Sequence, residues 1–203
     1  SVDGVLYDID QTTLIQFPGG RGGSCTVPDD VTSIGDYAFG TYDPPPGYSF
    51  LYAPSYVNLT NIIVPSSVTV IGYDNFYSLN NLTGVYFAGN APVDVDSLSY
   101  NYNITFYYLP GTTGWDTVFT AIPTALWLPQ MQTADVSFDT QTNQFGFNIN
   151  WASDQTVVVE ACTNLSNPDW LPVQTNVLTT GSAYFSDPHW TNYPARFYRL
   201  SSQ

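Results

Sequence analysis

Residues 27–39 read VPDDVTSIGDYAF, and residues 64–76 read VPSSVTVIGYDNF. The shared pattern V-P-x-x-V-T-x-I-G-x-x-x-F recurs at an offset of 37 residues. A second register is tighter, because LTNIIV at 59–64 matches LTGVYF at 82–87 at an offset of 23 residues. The extra length of the first offset falls in a loop that contains the sequence PPPG. A repeat of this length predicts a solenoid, because one coil buries its apolar side only against a stacked neighbour.

Each coil is predicted to contain a short strand that turns at a proline. Val68, Ile71 and Phe76 would then point inward, and the β-branched residues favour the strands. Ahead of the coils, GVLY at 4–7 and TLIQF at 13–17 are separated by a polar turn and predict a β-hairpin. The first part of the chain is therefore expected to be a stack that begins with a hairpin.

The repeat gives way to a different pattern near residue 130. A third strand-like segment lies at 104–109, and segments containing Trp115 and Trp127 follow it, which we interpret as a C-terminal cap. Beyond them, apolar and polar residues alternate along 145–151. Further strands are predicted at 136–138, 157–162, 171–174, 183–185 and 196–200. The sequence thus predicts a mainly β chain with a solenoid at 1–129 and a small Ig-like β-sandwich at 130–203.

The segments DGVLY at 3–7 and TLIQFP at 13–18, with the doubled 13-residue pattern, resemble the BspA-like leucine-rich repeats of bacterial surface proteins. The resemblance covers roughly residues 1–129 and implies a short leucine-rich-repeat solenoid, export, and adhesion or protein–protein binding without catalysis. VEACTNL at 159–165 and RFYRL at 196–200 look like the C-terminal β-domains appended to exported bacterial repeat proteins.

The charge of the chain excludes several classes of partner. Three arginines and no lysine stand against 17 acidic residues, which gives a formal net charge of −14. Binding to nucleic acid or to an anionic membrane surface requires clustered cations, so neither is expected as a partner. No apolar run is long enough for a membrane-spanning helix. The chain begins at Ser1 rather than at methionine, and we expect an extracellular or cell-surface protein whose signal peptide has been removed.

The inventory of reactive side chains predicts no enzyme, no cofactor and no metal site. One histidine and two cysteines cannot form a multi-histidine zinc site, a zinc ribbon or an iron–sulfur site. Two pairs of aspartates, Asp8 with Asp10 and Asp94 with Asp96, lack the rest of a calcium loop and are interpreted as turn residues. An aspartate-based carbohydrate hydrolase would need two of the carboxylates to converge in a cleft. Ser186, Asp187 and His189 are too close in sequence to form a catalytic triad.

Cys25 and Cys162 lie in different predicted domains. A disulfide is allowed in an exported chain, and the sequence leaves three alternatives open: a bond between them, two buried free thiols, or a bridge between subunits. The chain also contains four N-x-S/T sequons, which we interpret as ordinary asparagine turns; they begin at residues 58, 81, 103 and 164.

Tyrosine and phenylalanine are concentrated in the PPPG loop and in a second region that contains Tyr100, Tyr102, Tyr107 and Tyr108. These residues either form an interface or fold onto their own solenoid. These aromatic residues bury a large area with few rotatable bonds and are enriched at protein interfaces. The candidate interface residues are Tyr42, Tyr48, Phe50, Tyr52, Tyr56, Tyr100 and Tyr102.

These features favour a non-catalytic, exported bacterial structural protein. We expect copies of the chain to associate head to tail into an extracellular fibre or surface layer, because a contact that does not close yields a filament. The alternative is a monomeric surface adhesin or ligand-binding module that uses the PPPG loop to bind a host protein or glycan.

Overall fold

The computed structural model describes residues 4–40, 58–76, 79–95, 103–134, 137–141 and 144–202. The chain divides into two compact units, Ser1–Trp127 and Leu128–Gln203, which we call unit 1 and unit 2. This division lies two residues before the boundary that the sequence predicts. The described residues contain no α-helix, and one turn of 3-10 helix accompanies the strands. The prediction of a mainly β chain is confirmed.

Unit 1 consists of two sheets between which the chain alternates. Its strands are β1 (Leu6–Tyr7), β2 (Thr13–Gln16), β3 (Gly23–Thr26), β4 (Ser33–Ile34), β5 (Leu59–Val64), β6 (Val70–Ile71), β7 (Gly84–Phe87), β8 (Asp94–Val95), β9 (Thr105–Tyr108), β10 (Val118–Phe119) and β11 (Ile122–Leu126). The small sheet has the order β1-β2-β4-β6-β8, and the large sheet has the order β10-β11-β9-β7-β5-β3. All neighbours are parallel except β1 with β2 and β10 with β11. From β2 to β9, each turn of the chain, here called a coil, adds one strand to each sheet.

Strand pairing follows the two offsets found in the sequence. In the small sheet, Ile34 pairs with Ile71, which lies 37 residues later. In the large sheet, Ile62 pairs with Val85, which lies 23 residues later. The third predicted strand, β9, pairs with β7, and the N-terminal hairpin forms between β1 and β2. The predicted register, third strand and hairpin are all confirmed.

The core of unit 1 is a set of side-chain columns that run across the coils. One column consists of Cys25, Ile62, Val85 and Phe106, which are successive partners in the large sheet and are at most 8% exposed. Phe76 lies beside this column with its ring 5.6 Å from that of Phe106. Burying an aliphatic or aromatic side chain of this kind contributes about 1.5–3 kcal/mol. No coil could obtain this burial without its neighbours.

A buried asparagine joins two coils. Asn75 is 0% exposed and occupies the repeat position that Ala38 holds in the preceding coil. Its Nδ2 donates to the carbonyls of Gly35 at 2.9 Å and Gly72 at 2.8 Å, and its Oδ1 accepts from Phe39 N at 3.3 Å. The side chain therefore supplies hydrogen bonds where the backbones of the two coils leave the strand ladder.

The glycine of the I-G dipeptide lies where neighbouring coils approach closely. Gly35 and Gly72 occupy equivalent positions, and a Cβ on Gly72 would lie 2.7 Å from the backbone nitrogen of Asp36. That distance is well inside van der Waals contact, so only glycine fits without movement of the backbone. Gly20 is the contrasting case, because a Cβ there would meet no atom within 4 Å.

A hairpin ends the large sheet. β10 and β11 are joined by Thr120 and Ala121, whose φ angles of 50° and 70° are both positive. Two positive φ angles in a two-residue loop define the hairpin turn that normally requires Asn-Gly, so this turn is strained. Nearby, the ring of Trp115 packs 4.8 Å from Phe87. The tryptophan thus packs on the coil before it.

Unit 2 consists of two antiparallel sheets. Its strands are β12 (Gln130–Gln132), β13 (Asp139–Gln141), β14 (Gln144–Asn150), β15 (Gln155–Cys162), β16 (Leu171–Leu178), β17 (Ser182–Asp187) and β18 (Phe197–Ser202). β14 pairs with β12, β13 and β17, and β15 pairs with β16 and β18. The ring of Tyr198 in β18 lies 5.0 Å from that of Phe145 and 5.5 Å from that of Phe185, so the two sheets are in contact.

Four of the strand predictions for unit 2 overlap β15, β16, β17 and β18. The prediction for 136–138 is wrong for its described residues, Ser137 and Phe138, because the strand begins at Asp139. The hydroxyl of Ser137 instead accepts a hydrogen bond from Asn148 N of β14 at 3.0 Å. A side-chain acceptor thus takes the place of a backbone ladder bond at this point.

Candidate interaction site

The predicted aromatic interface lies outside the described residues. This holds for all seven candidate side chains: Tyr42, Tyr48, Phe50, Tyr52, Tyr56, Tyr100 and Tyr102. The candidate surfaces described below are formed by the described residues.

Both cysteines are free and buried, one in each unit. Cys25 belongs to the core column of unit 1, where burial raises the pKa of its thiol to about 11 and the nearby Arg21 charge lowers it to a smaller extent. A thiol with so high a pKa is protonated at neutral pH and is a poor nucleophile. Cys25 therefore acts as a small core side chain.

Asp8 stabilises the turn of the N-terminal hairpin. Its Oδ1 accepts from the backbone amides of Thr12 at 2.8 Å and Thr13 at 3.0 Å, and Oδ2 accepts from the Thr12 hydroxyl at 3.1 Å. The hydrogen bond from the Thr13 amide is the main cause that lowers the pKa of this carboxyl. The carboxylate is engaged in a turn, as the sequence predicts. Asp96 lies outside the described residues.

An aromatic pair lies on the outer face of the large sheet. The half-buried rings of Tyr86 and Tyr107 are stacked 4.7 Å apart, and the ring of Trp127 lies 5.1 Å from that of Tyr86. Burial raises the pKa of Tyr86. These rings contact each other across neighbouring coils, so they stabilise the stack as well as presenting an outer surface.

The first candidate surface is the outer edge of β3, which we call the head edge. The amide of Gly23 donates to the carbonyl of Asn58, and the amide of Val27 donates to the carbonyl of Ile63 in β5, each at 2.9 Å. Since successive strand residues direct their backbone groups to alternate sides, Ser24 and Thr26 direct theirs away from β5. No strand in the described part of the chain pairs with that side. These outward backbone groups have the directions that pairing with a further strand would use.

A hollow of about 210 Å³ lies beside the head edge. Tyr7 of the N-terminal hairpin lines it on one side, Ser24 and Thr26 of β3 line it on another, and Arg21 also borders it. The buried Phe17 and Cys25 also line it, so the hollow lies at the head end of the stack, between the N-terminal hairpin and the last strand of the large sheet.

The hairpin beside the head edge exposes three aliphatic side chains. Leu6 is 47% exposed, Ile15 is 42% exposed, and Ile9 at the turn is 96% exposed. Single exposed aliphatic residues are ordinary on a protein surface, and these three share one hairpin at the head end of the stack.

The second candidate surface is the outer edge of β10, which we call the tail edge. The amide of Thr124 donates to Thr117 O at 3.1 Å, and Phe119 pairs with Ile122. Val118 lies between these two pairs, so its backbone N–H and C=O point away from β11. The exposed Asp116 precedes this strand. Within the ranges that the structure describes, β10 pairs with β11 alone.

A buried carboxylate holds the two sheets of unit 2 together. Asp187 is 2% exposed; its Oδ2 lies 2.7 Å from Arg196 Nε and accepts from the Tyr198 hydroxyl at 3.0 Å. Burial and this hydrogen bond raise the pKa of Tyr198. Oδ1 accepts from the backbone amide of His189 at 2.8 Å, so Asp187 contacts the backbone of this histidine. Removing one member of such a group costs about 3–5 kcal/mol, so we assign it a structural role.

The described residues were also compared with metal sites, membrane-spanning helices and known proteins. Among the described residues, no group of three or more His, Cys, Asp or Glu side chains could hold a metal ion. Within the same part of the chain, none of the helical structure is long and apolar enough to cross a membrane. No protein-family model, curated protein or solved structure matches this chain.

The sequence analysis did not identify Arg21 and Asp116 as candidates. Arg21 is the only lysine or arginine in unit 1, which is a signal visible in the sequence. Its position beside an unpaired strand edge follows only from the strand order, because the repeat pattern does not show which strand is last. Asp116 is one of many aspartates, and nothing in the sequence distinguishes it from the others.

Proposed function

We propose that the chain is a non-catalytic, exported bacterial structural protein that associates with copies of itself into an extracellular fibre or surface layer. In this proposal, unit 1 is a short BspA-like leucine-rich-repeat solenoid and unit 2 is an Ig-like β-sandwich. The alternation between two parallel sheets at the repeat offsets supports the first assignment, and the two contacting antiparallel sheets support the second.

The observation that carries the proposal is the edge of β3. In the large sheet, neighbouring strands pair in parallel from β3 to β11, and no strand of the described residues pairs with the backbone groups that the head edge directs outward at one end. Exposed edges of this kind pair readily with another chain unless charged residues, proline or a covering segment prevent it. The strand itself, GSCT, contains neither charge nor proline. Its pairing with a second copy would extend the sheet from one molecule into the next.

The net charge of the chain opposes this association. At −14, copies repel one another over roughly 30 Å at about 0.01 M salt and over roughly 8 Å at about 0.15 M. Assembly therefore requires either salt that screens the repulsion or an interface that offsets it. We expect the association of wild-type chains to strengthen as salt increases from about 0.01 M to 0.15 M.

Sedimentation velocity of the full chain over a range of concentrations and salt tests the proposal, with electron microscopy of the same samples. The expected result is a series of species that grows with concentration and elongated particles in the images. Monomers at every concentration and salt would refute self-association. Specific binding of such monomers to a surface protein or glycan would favour the alternative, a monomeric adhesin.

A further inference from the structure

The two ends of the large sheet carry opposite charges. Arg21 borders the hollow at the head edge, and Asp116 lies in the segment that leads into β10 at the tail edge. Both side chains belong to exposed residues. Because Arg21 is the only lysine or arginine of unit 1, the head edge is the one place in this unit where a carboxylate from another chain meets a basic side chain.

The two ends also have complementary hydrogen-bonding groups. The head edge offers the backbone groups of Ser24 and Thr26, and the tail edge offers those of Val118. β10 runs antiparallel to the rest of the large sheet, so a tail edge laid beside a head edge would form an antiparallel pair. Antiparallel pairs are slightly more stable per residue than parallel ones.

We propose that the head edge of one copy receives the tail edge of a second copy, with Arg21 of the first facing Asp116 of the second. This inference rests on the proposed self-association and identifies the surfaces that perform it. β10 of the second copy occupies the position of the hollow and continues the large sheet across the junction. The contact is heterologous, since each copy retains a free edge at its other end, and repeated addition gives an open filament.

The occupant is a second copy because of charge complementarity. The chain has 17 acidic residues against three basic ones, so an acidic segment is what a copy of the chain offers most readily to Arg21. Asp116 is the acidic residue that lies next to the unpaired outer edge of the same sheet. A contact through these residues joins the ends of the stack in the direction in which its strands already pair.

A reciprocal charge exchange tests the inference on the full chain. R21D places a carboxylate opposite Asp116, and D116R places a guanidinium opposite Arg21, so each single variant brings like charges together. We expect the association constant of each variant to fall by about tenfold, the effect of losing one exposed ion pair and gaining a repulsive one. The control D169R makes the same aspartate-to-arginine change as D116R, but at an exposed residue of unit 2, where we expect no fall in the association constant.

Mixing the two variants separates a charge effect from misfolding. In an equimolar mixture, the carboxylate introduced by R21D meets the guanidinium introduced by D116R, and the remaining ends retain the wild-type pair. We therefore expect the mixture, and the double variant R21D/D116R, to recover at least half of the wild-type association by sedimentation velocity. A urea midpoint of unfolding equal to that of the wild type, for each single variant, would confirm that the fold is intact.

The outcomes distinguish this inference from the proposed function. If the wild type assembles and R21D and D116R assemble equally well, or their mixture shows no recovery, the proposed pairing is wrong while self-association stands. If the wild type remains monomeric, both are wrong. Protection of the Ser24 and Thr26 amides from hydrogen exchange in a monomer would show that a segment of the same chain covers the head edge, and would also overturn the pairing.

Discussion

Replacing Asn75 with alanine tests whether polar side chains hold the coils of unit 1 in register. The variant N75A gives this coil the residue that the preceding coil has at Ala38, so the backbone should tolerate it. It removes three hydrogen bonds made by a side chain with no exposed area. The partners left behind are two carbonyls and one amide of two adjacent coils.

The expected loss follows from these partners. The carbonyl of Gly35 keeps a longer hydrogen bond of 3.4 Å from Ala38 N. Phe39 N and the Gly72 carbonyl lose their hydrogen bonds to Asn75, and the alanine side chain cannot replace them. Each buried polar group left unpaired costs about 1–3 kcal/mol. We therefore expect the free energy of unfolding of unit 1 to fall by about 3 kcal/mol.

Urea unfolding followed by circular dichroism measures this change, and hydrogen exchange of peptides from unit 1 identifies its transition. With an m-value of about 1–3 kcal/mol/M, the midpoint should fall by about 1–3 M. The matched control is N81A, because Asn81 is exposed and makes one hydrogen bond to Asn58 Oδ1 at 3.1 Å. It should change the free energy by less than about 0.5 kcal/mol. An N75A midpoint equal to that of N81A would refute the reasoning.

Three further predictions concern the same unit. G72A should destabilise it by about 2–4 kcal/mol, since the new methyl group would clash with the preceding coil, whereas G20A should be neutral; thermal unfolding compares the two. T120N/A121G should raise the free energy of unfolding by about 1 kcal/mol in urea, because both φ angles are positive; no gain would show that the turn is unstrained. Because burial raises the pKa of the Cys25 thiol above its unfolded value, its contribution to stability is complete below pH 9 and declines as the pH rises toward about 11. C25A should lack this part of the pH dependence in urea titrations, and an unchanged profile would contradict the assignment.

The sequence predicts the stack of unit 1 well because its physical cause is periodic. Ile34 and Ile71, or Ile62 and Val85, are inward residues of neighbouring coils, and equal spacing between them is what allows the coils to pair in register. Strand β11 is harder to predict, because IPTAL at 122–126 shares no repeat pattern with β9, yet it pairs with β9 in the same parallel sense. The position of β11 in the sheet depends on its pairing with β9, and the local sequence of β11 does not reveal that pairing.

The candidate site could be predicted only in part. The seven aromatic residues that tyrosine enrichment indicated as an interface lie outside the described residues, whereas the edges of β3 and β10 depend on which strands are first and last in the large sheet. The contacts of Asp187 were missed for a related reason. Tyr198 lies on a different sheet from Asp187, and Arg196 directly precedes the strand of Tyr198, so the three side chains meet only after both sheets have formed.

The long repeat offset has a practical consequence for protein engineering. The described part of the stack stops at Gly40, which lies against the Asp74 carbonyl, and resumes at Asn58, whose carbonyl accepts from Gly23 N at 2.9 Å. Both positions contact neighbouring coils, and the entropic cost of closing a chain segment rises by only about 0.6 kcal/mol when its length doubles. Residues inserted between these two positions, such as an epitope or an enzyme tag, should therefore leave the pairing of the coils intact.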